Sequence, residues 1–407
     1  SFPNKIDFPT GGNPYAVAIG DLDGDGKPDL AVTDLLSATI SVYRNTSTVG
    51  EISSSSFSSK QDFLAVSRPR AITIGDLDGD GKPELVVTNQ SGDAAISIFR
   101  NISSRGEIAA ESFAARVDLS IPGQFGERLL LNDLDGDKKL DILVSDAIGR
   151  LYVLRNISTP GAISTASFAS QVSFNVGQRI RNLRTGDIDA DGRLDVMFNN
   201  SSGVFFFRNV STSGSFTPES FDPQVTISDQ IFRGIEIADL DGDGDLDMAA
   251  SIFSGDKVFV FEHVSSSEGI SSTTFEKKVE LVSEHSPADI KIGDLDGDSK
   301  PDLIVSIDFL NSNSSSLSIF RNTDIVDLSD LTLSAGTLSP GFSSETTEYT
   351  ASVSSTTESI SLTPTAVDET VSITVNGTVV SSGSASQDIP LNGGSNTITV
   401  LITALDG

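Results

Sequence analysis

The sequence predicts an all-β protein built from repeated sheets, and three observations support this fold class. An acidic ten-residue motif, DLDGDGKPDL, begins at Asp21 and returns in altered form at Asp76, Asp133, Asp187, Asp239 and Asp294. Successive copies start 52 to 57 residues apart, a period that is typical of repeat architectures. Short β-branched runs flank the copies, and no segment shows a helical period.

Each repeat is predicted to contain four antiparallel strands. In the second repeat these strands are residues 71–74, 85–88, 96–101 and 112–119, and the acidic loop joins the first strand to the second. In most repeats the third strand ends in Arg-Asn and the fourth begins with Ser-Phe or Thr-Phe. Four strands in every repeat of about 55 residues are typical of the blades of a β-propeller.

The two ends of the repeat region predict how the ring of blades closes. The sixth acidic loop is followed by its Arg-Asn strand but by no Ser-Phe strand, and the missing copy stands at residues 1–8. We therefore expect the N-terminal segment to supply the outer strand of the last blade. The prediction is a six-bladed β-propeller closed by an N-terminal strand, with a seven-bladed propeller as the alternative.

The acidic loops are predicted to bind calcium. Loop positions 1, 3, 5 and 9 carry carboxylates, and we expect the backbone carbonyl of position 7 to face the same centre. Calcium takes six to eight oxygen ligands, which such a loop supplies. A solvated acidic turn is the alternative for a single copy, since Asp and Gly are common turn residues. Six copies in register favour a cation in each loop, and we expect about six calcium ions.

The predicted ligands occupy five equivalent positions in each loop, with position 7 acting through its carbonyl. An EF-hand is excluded because strands flank the loop and because position 12 of the first copy is Val32 rather than Glu. The predicted ligand residues are Asp21, Asp23, Asp25, Lys27, Asp29, Asp76, Asp78, Asp80, Lys82, Glu84, Asp133, Asp135, Asp137, Lys139, Asp141, Asp187, Asp189, Asp191, Arg193, Asp195, Asp239, Asp241, Asp243, Asp245, Asp247, Asp294, Asp296, Asp298, Lys300 and Asp302.

Three departures from the repeated pattern distinguish the loops. Position 6 is expected to adopt a positive φ angle, which suits the Gly found there in four copies. Lys138 and Ser299 take this position in the third and sixth loops at a cost of about 1 kcal/mol, so we expect these two loops to bind calcium more weakly. The third strand of the fifth repeat ends in Glu262-His263, and we interpret His263 as a variant turn residue rather than a ligand.

The repeated loop DxDGDGxPDL, preceded by a strand of small residues, resembles the FG-GAP/VCBS repeats of integrin α-like propellers. The resemblance covers residues 1 to about 322. It implies a calcium-binding propeller and does not imply any particular ligand. We assign residues 1–325 to this propeller.

The composition changes after about residue 328, where Ser, Thr and Val dominate and the acidic loops stop. Alternating runs at residues 331–334, 348–353, 359–362, 371–375 and 396–400 predict strands, and Asn376-Gly377 predicts a tight turn. The pattern looks like the bacterial cadherin-like β-sandwich repeat. We assign residues 326–407 to a small C-terminal β-sandwich. It lacks the last strand usual in that family, so we expect the chain to be a piece of a longer precursor.

Composition limits the partners and the location. The chain has 27 basic and 57 acidic residues and a net charge of −30, which argues against a nucleic-acid partner. It has no cysteine, and no apolar run in it is long enough to span a membrane. We expect an extracellular or cell-surface location in a secreted bacterial protein, and a monomer.

The rim opposite the acidic loops is predicted to carry the recognition surface. Tyr15, Arg70, Arg181 and Arg233 each stand six residues before the first loop aspartate, where the inner strand of a blade begins. We expect these side chains to ring the mouth of the axial channel, where arginines pair well with a carboxylate, a sulfate or a sugar acid. The alternative is that they pair with nearby acids and close the channel.

Three classes of function follow from these features. The leading hypothesis is a non-catalytic, calcium-stabilised module for adhesion or recognition that binds an extracellular protein or glycan. A carbohydrate-binding, lectin-like propeller is the alternative, although no Trp and only four Tyr are available for stacking on sugars. A polysaccharide-processing enzyme is less favoured, because the two histidines are isolated in the sequence and calcium accounts for the repeated carboxylates. We therefore predict that the chain is not an enzyme.

Overall fold

The chain divides into two compact units. A computed structural model describes residues 6–48, 52–90, 94–123, 125–252, 255–264, 270–283, 286–307, 316–323, 327–344, 346–367 and 371–403. The first unit comprises Ser1–Ile292 and Leu303–Ile319, and the second comprises Gly293–Asp302 and Phe320–Gly407. The predicted domain boundary between residues 325 and 326 lies outside the described residues.

Five four-stranded sheets follow one another along the chain, each an antiparallel meander in sequence order. The first contains β1 (Pro14–Gly20), β2 (Asp29–Asp34), β3 (Thr39–Tyr43) and β4 (Gln61–Leu64). The second contains β5 (Pro69–Gly75), β6 (Glu84–Asn89), β7 (Ile96–Phe99) and β8 (Val117–Leu119). The third contains β9 (Gly126–Asn132), β10 (Asp141–Asp146), β11 (Arg150–Leu154) and β12 (Val172–Asn175).

The fourth sheet contains β13 (Asn182–Gly186), β14 (Asp195–Asn200), β15 (Gly203–Phe207) and β16 (Val225–Ser228). The fifth contains β17 (Phe232–Ala238), β18 (Asp247–Ile252), β19 (Lys257–His263) and β20 (Phe275–Val282). A sixth sheet has three strands among the described residues, β21 (Pro287–Gly293), β22 (Asp302–Ile307) and β23 (Ser316–Phe320). In every sheet the acidic loop joins the first strand to the second, as the sequence predicts.

The first five sheets pack face to face in sequence order. Between the first and second sheets, Ile40, Val42 and Phe63 meet Leu85 and Phe113 in one buried cluster. Equivalent clusters join the second sheet to the third, the third to the fourth and the fourth to the fifth. First strands β1, β5, β9, β13 and β21 line a common cavity. Sheets stacked in this way, with their first strands innermost, are the arrangement of a β-propeller.

The N-terminal segment packs on the first sheet in the way that an outer strand does. The ring of Phe8 meets that of Phe57 with centroids 5.2 Å apart and an interplanar angle of 82°. The same kind of contact joins the first two repeats. There the ring of Phe63, in the outer strand β4, meets that of Phe113 of the second repeat, with centroids 4.9 Å apart and an interplanar angle of 83°. Residues 1–5 lie outside the described residues and residues 6–10 form no strand, so closure of the sixth sheet by residues 1–8, and the blade count, stay predictions.

The C-terminal part of the second unit is built from three small antiparallel sheets. They pair β24 (Leu328–Leu333) with β26 (Leu362–Ala366), β25 (Ser359–Ile360) with β29 (Ile389–Pro390), and β27 (Ser372–Val375) with both β28 (Thr378–Val380) and β30 (Val400–Thr403). The predicted turn at Asn376-Gly377 is confirmed, with φ angles of 52° and 78°.

Two strand predictions in this part are wrong. Residues 348–353 form only an isolated bridge between Thr350 and Ser339. The last strand begins at Val400 and not at residue 396, because the Asn396 side chain bonds backbone atoms of Asn392 and closes a turn. One short 3-10 helix, Thr165–Ser167, is present, and the described residues include no helix that is long and apolar enough to cross a bilayer.

Candidate metal centre

The acidic loops bring carboxylates from three of the predicted positions together. In the first loop, one oxygen from each of Asp21, Asp23 and Asp29 lies within 4.8 Å of the other two. The same positions converge in the next four loops, as Asp76/Asp78/Glu84, Asp133/Asp135/Asp141, Asp187/Asp189/Asp195 and Asp239/Asp241/Asp247. Glu84 therefore reaches the position that Asp holds elsewhere. Positions 5 and 7 do not belong to these groups, and the full ligand set stays a prediction.

The backbone of the loop is wound by two left-handed residues. Position 6 has a positive φ angle, as predicted, which is 93° at Gly26 and 96° at Gly244. Lys138 and Ser299 adopt 70° at this position, where a side chain is unfavourable. Position 4 is also left-handed, which the sequence analysis missed, and Ala190 adopts it with φ of 55°.

Hydrogen bonds inside the loop fix the carboxylates at positions 1 and 5. The two oxygens of Asp21 accept the N–H groups of Asp25 at 3.1 Å and of Gly26 at 2.8 Å. Asp25 in turn accepts the N–H of Lys27 at 2.9 Å. These bonds satisfy backbone donors that the tight turn leaves without partners.

The carboxylate at position 9 is buried and joins three parts of each repeat. Asp29 is fully buried, and its two oxygens accept the N–H of Leu22 at 2.9 Å and of Asn45 at 2.7 Å. It thereby ties the start of the loop and the end of the third strand to the start of β2.

Burial also raises the pKa of the acid at position 9 in the first five loops, because a buried carboxylate loses hydration. The pKa of Asp29 rises to about 6, and those of Glu84, Asp141 and Asp195 rise to about 7. Desolvation by burial raises the pKa of Asp247 as well. An ion that favours the ionised form would oppose this effect.

An arginine that the sequence analysis did not assign to the site lies against the loop. Arg44, from the Arg-Asn pair after β3, donates through Nη2 to Asp25 at 2.7 Å and through Nε to Asp23. In four other loops an equivalent arginine pairs in the same way with the acids at positions 3 and 5; these are Arg100, Arg155, Arg208 and Arg321. The recurring Arg was the available signal, since it accompanies five of the six acidic loops.

The fifth loop lacks this arginine. Glu262 stands in its place and pairs with Lys278 at 2.6 Å, and within the described residues no cationic side chain pairs with Asp241 or Asp243. His263 keeps the role of the turn Asn, because its N–H donates to Asp247 at 2.8 Å. Its ring is nine-tenths buried, with Nδ1 3.3 Å from a carboxylate oxygen of Asp245.

The Asn of three Arg-Asn pairs links one loop to the next. Asn101 donates through Nδ2 to the carbonyl of Leu22 in the first loop at 2.7 Å, and the hydroxyl of Ser103 donates to the same carbonyl at 3.0 Å. Asn156 and Asn209 repeat this contact with the second and third loops. These Asn-X-Ser sequences are buried turns that hold adjacent sheets together.

The structure pairs one of the predicted channel-mouth residues with a nearby acid. Arg70 is only 8% exposed, its Nη1 lies 2.8 Å from Glu127, and its Nε donates to the hydroxyl of Tyr15 at 3.0 Å. Arg179 reaches the same Glu127 at 2.7 Å. Arg181 and Arg233 are half-buried. Arg70 therefore follows the alternative interpretation, in which a channel-mouth residue pairs with a nearby acid. That Tyr15, Arg70, Arg181 and Arg233 bind a ligand stays a prediction.

Family models match both parts of the chain. FG-GAP-like repeat models match residues 1–32, 133–198 and 187–250, and an FG-GAP repeat model matches residues 68–106. The model of the cadherin-like beta sandwich domain matches residues 328–407.

Two curated proteins are similar over part of the chain. Cartilage acidic protein 1 of Homo sapiens is 28% identical over 191 residues, which cover 45% of this chain and 28% of that protein. A putative membrane protein of Evansella cellulosilytica is 40% identical over 80 residues, which cover 20% of this chain and 12% of that protein. The chain therefore spans less than a third of the length of each of these relatives.

Solved structures also match part of the chain. An Agrocybe aegerita lectin that recognises non-reducing terminal N-acetylglucosamine has a TM-score of 0.49 and 18% identity, with 76% of this chain and 81% of the lectin covered. The β-propeller domain of Myceliophteria thermophila Cps50 (Swd1) has a TM-score of 0.43 and 10% identity, with 72% and 79% covered. The family models therefore match FG-GAP repeats in segments between residues 1 and 250, and a cadherin-like β-sandwich domain at residues 328–407.

Proposed function

We propose that the chain is a non-catalytic, calcium-stabilised module for adhesion or recognition in a secreted or surface-anchored bacterial protein. The observation that carries the calcium part is the repeated convergence of three carboxylates inside one loop geometry. The cadherin-like domain beside the FG-GAP repeats supports the adhesion part. An extracellular protein or glycan is the proposed partner, and the chain is proposed to act as a monomer.

The chemistry of the donor set fits calcium. Each convergent group offers carboxylate oxygens alone, without nitrogen or sulfur, and hard cations such as calcium prefer oxygen ligands. Asp21, Asp23 and Asp29 would hold the ion in the first loop, and their equivalents would do so in the others. Affinities of about 0.1 to 1 mM suit extracellular modules of this kind.

The proposed role of calcium is structural. The loop joins the first and second strands of a sheet, its position 9 holds the third strand, and its position 2 carbonyl receives Asn101 or an equivalent residue from the next sheet. An ion that neutralises the loop acids would therefore strengthen contacts within a sheet and between sheets. Catalysis normally needs one distinct, asymmetric site, and we therefore propose no enzymatic role for a motif that is repeated in this way.

Calcium titration by isothermal calorimetry tests the metal part of the proposal. The wild-type chain is expected to release or absorb heat at several sites with dissociation constants of about 0.1 to 1 mM. Asp239→Asn with Asp241→Asn, two changes in the fifth loop, should remove one site. Asp229→Asn, which alters an exposed acid outside the loops, is the matched control. Absence of calcium-dependent heat in the wild type would refute the proposal.

Arrays of glycans and extracellular matrix proteins, probed with the labelled chain, test the recognition part. Binding that requires calcium and disappears in chelator is the expected result. Turnover of an arrayed glycan, detected as a released product, would contradict the non-catalytic part. Sedimentation of the chain in calcium should give the mass of one chain, 42.8 kDa.

A further inference from the structure

The axial cavity of the first unit holds a concentration of positive charge. Its volume is about 270 Å³, close to the lower limit of about 300 Å³ for pockets that bind small molecules. Arg128, Arg184 and Lys291 line it together with one acid, Asp289. Three cations around one cavity are unexpected in a chain with a net charge of −30, so their position in the fold needs an explanation.

Two of these cations already share a partner. Arg184 donates through Nε to Glu236, and Nζ of Lys291 lies 2.6 Å from the other oxygen of the same carboxylate. One negative charge therefore serves two positive charges. Glu236 and Asp289 together carry two negative charges against the three cations, so one positive charge remains in excess around the cavity.

Arg128 has no such partner. Among the described residues its guanidinium makes no hydrogen bond or ion pair, and its Nε atom is buried without an acceptor. The neighbouring acid Glu127 is already engaged by Arg70 at 2.8 Å and by Arg179 at 2.7 Å. Burial lowers the pKa of Arg128, because desolvation disfavours the charged guanidinium. A buried charged donor without a partner is costly, and a ligand is one way to satisfy it.

We propose that this axial cavity binds a small oxyanion, a carboxylate or a sulfate group, through Arg128 with support from Lys291. A guanidinium pairs with such groups through two parallel hydrogen bonds, and Leu130 and Val17 provide apolar walls for the rest of the ligand. The proposal is independent of the calcium proposal, because none of the cavity residues belongs to an acidic loop.

Titration with two probes, sodium D-glucuronate and sodium sulfate, tests this site by isothermal calorimetry at low ionic strength. One anion is expected to bind per chain, and the Arg128→Gln variant should bind at least tenfold more weakly. Arg116→Gln is the matched control, because Arg116 pairs with Asp118 on β8 and does not line the cavity. Tighter binding of glucuronate identifies a carboxylate ligand, and tighter binding of sulfate identifies a tetrahedral one; both support the site.

A second variant keeps the test decisive if Arg128→Gln fails to fold. Lys291→Gln changes a side chain that is 58% exposed, and it should weaken binding severalfold without unfolding the chain. The wild-type melting temperature should rise with anion concentration. The proposal is overturned if neither anion binds the wild type at millimolar concentration, or if Arg128→Gln and Lys291→Gln, folded by circular dichroism, bind as tightly as the wild type.

Discussion

The first and fifth acidic loops share one backbone design and differ in the charges that surround it. In both, the position 9 carboxylate accepts two N–H groups, from Leu22 and Asn45 for Asp29 and from Leu240 and His263 for Asp247. In both, position 6 is a left-handed glycine. The first loop has Arg44 against two of its acids, whereas the fifth has Glu262 at the equivalent place.

The difference separates the interactions that fix the shape of the loop from those that neutralise its acids. Backbone hydrogen bonds set its shape, because that shape is the same with and without the arginine. Neutralising its acids is a separate task, and Arg44 performs part of it in the first loop. Within the described residues no cationic side chain pairs with Asp241 or Asp243 of the fifth loop, so we expect this loop to depend most on the proposed calcium ion.

The largest effect expected in chelator is a pH dependence of the first four loops. Their position 9 acids, Asp29, Glu84, Asp141 and Asp195, have folded pKa values of about 6 to 7, above their ordinary values of 3.8 to 4.5. The folded chain therefore binds more protons than the unfolded chain between about pH 4 and 7. Their contribution to stability is therefore greatest below pH 4 and is lost as the pH rises through 6 to 7.

Melting in chelator at pH 5.5 and pH 8 tests this effect. The melting temperature should be lower at pH 8 by about 5 °C or more, since each kcal/mol shifts it by roughly 2 °C in a chain of this size. Saturating calcium should reduce the difference, because the ion favours the ionised acids. A higher melting temperature at pH 8 in chelator would contradict the assignment of these acids.

The next effect comes from removing the arginine of the first loop. Arg44→Leu leaves the fully buried side chain of Asp23 without its partner. Breaking a buried pair costs about 3 to 5 kcal/mol, and the partial exposure of Arg44 reduces the expected loss to about 1 to 3 kcal/mol. Urea unfolding in chelator measures it, with Arg116→Leu as the control. Calcium should restore part of the lost free energy of unfolding. An equal loss in calcium and in chelator would show that the ion does not help to neutralise the acids of this loop.

The converse change in the fifth loop should have a smaller and opposite effect. Glu262→Arg supplies the missing cation and should stabilise the chain in chelator by up to about 1 kcal/mol, since the site is partly exposed. It should also lower the stabilisation gained on adding calcium. Glu262→Gln, which removes the acid without adding a cation, should fall between this variant and the wild type. If calcium stabilised Glu262→Arg more than it stabilises the wild type, the proposed difference between the first and fifth loops would be contradicted.

The smallest expected effect concerns backbone strain in the third loop. Lys138 adopts a φ of 70°, so Lys138→Gly should stabilise the chain by about 0.5 to 1 kcal/mol and strengthen calcium binding at that loop. Gly26→Ala in the first loop is the reciprocal variant and should destabilise the chain by a similar amount. Unfolding by urea checks both changes. A destabilising Lys138→Gly would show that the side chain contributes more than the strain costs.

Much of the fold could be predicted because it depends on local patterns. Alternating β-branched runs and a motif of fixed length predict strands joined by acidic loops, and both are found. The left-handed position 6 was predictable from its four glycines, and the five glycines at position 4 gave the same signal, which the sequence analysis did not use. In the C-terminal part, residues 348–353 alternate like a strand but make only one bridge, because partner strands decide pairing.

The site was only partly predictable because some of its contacts join distant residues. Asp23 and Arg44 lie 21 residues apart, and Asn101 reaches Leu22 across 79 residues. Sequence periodicity shows that such residues recur but does not show which of them touch. The axial cavity illustrates the same limit, since Arg70 was one of four predicted ligand-binding residues and the structure pairs it with Glu127, while Arg128 was not singled out.

Calorimetric melting of the wild-type chain, first in calcium and then in chelator, tests the central claim most directly. A site saturated at a hundredfold excess over its dissociation constant contributes about 2.7 kcal/mol, so several occupied loops should raise the melting temperature by about 10 °C or more. Adding calcium back after chelation should restore the higher value, and magnesium, which demands stricter octahedral geometry, should restore less of it. The same melting temperature in calcium and in chelator would contradict the account.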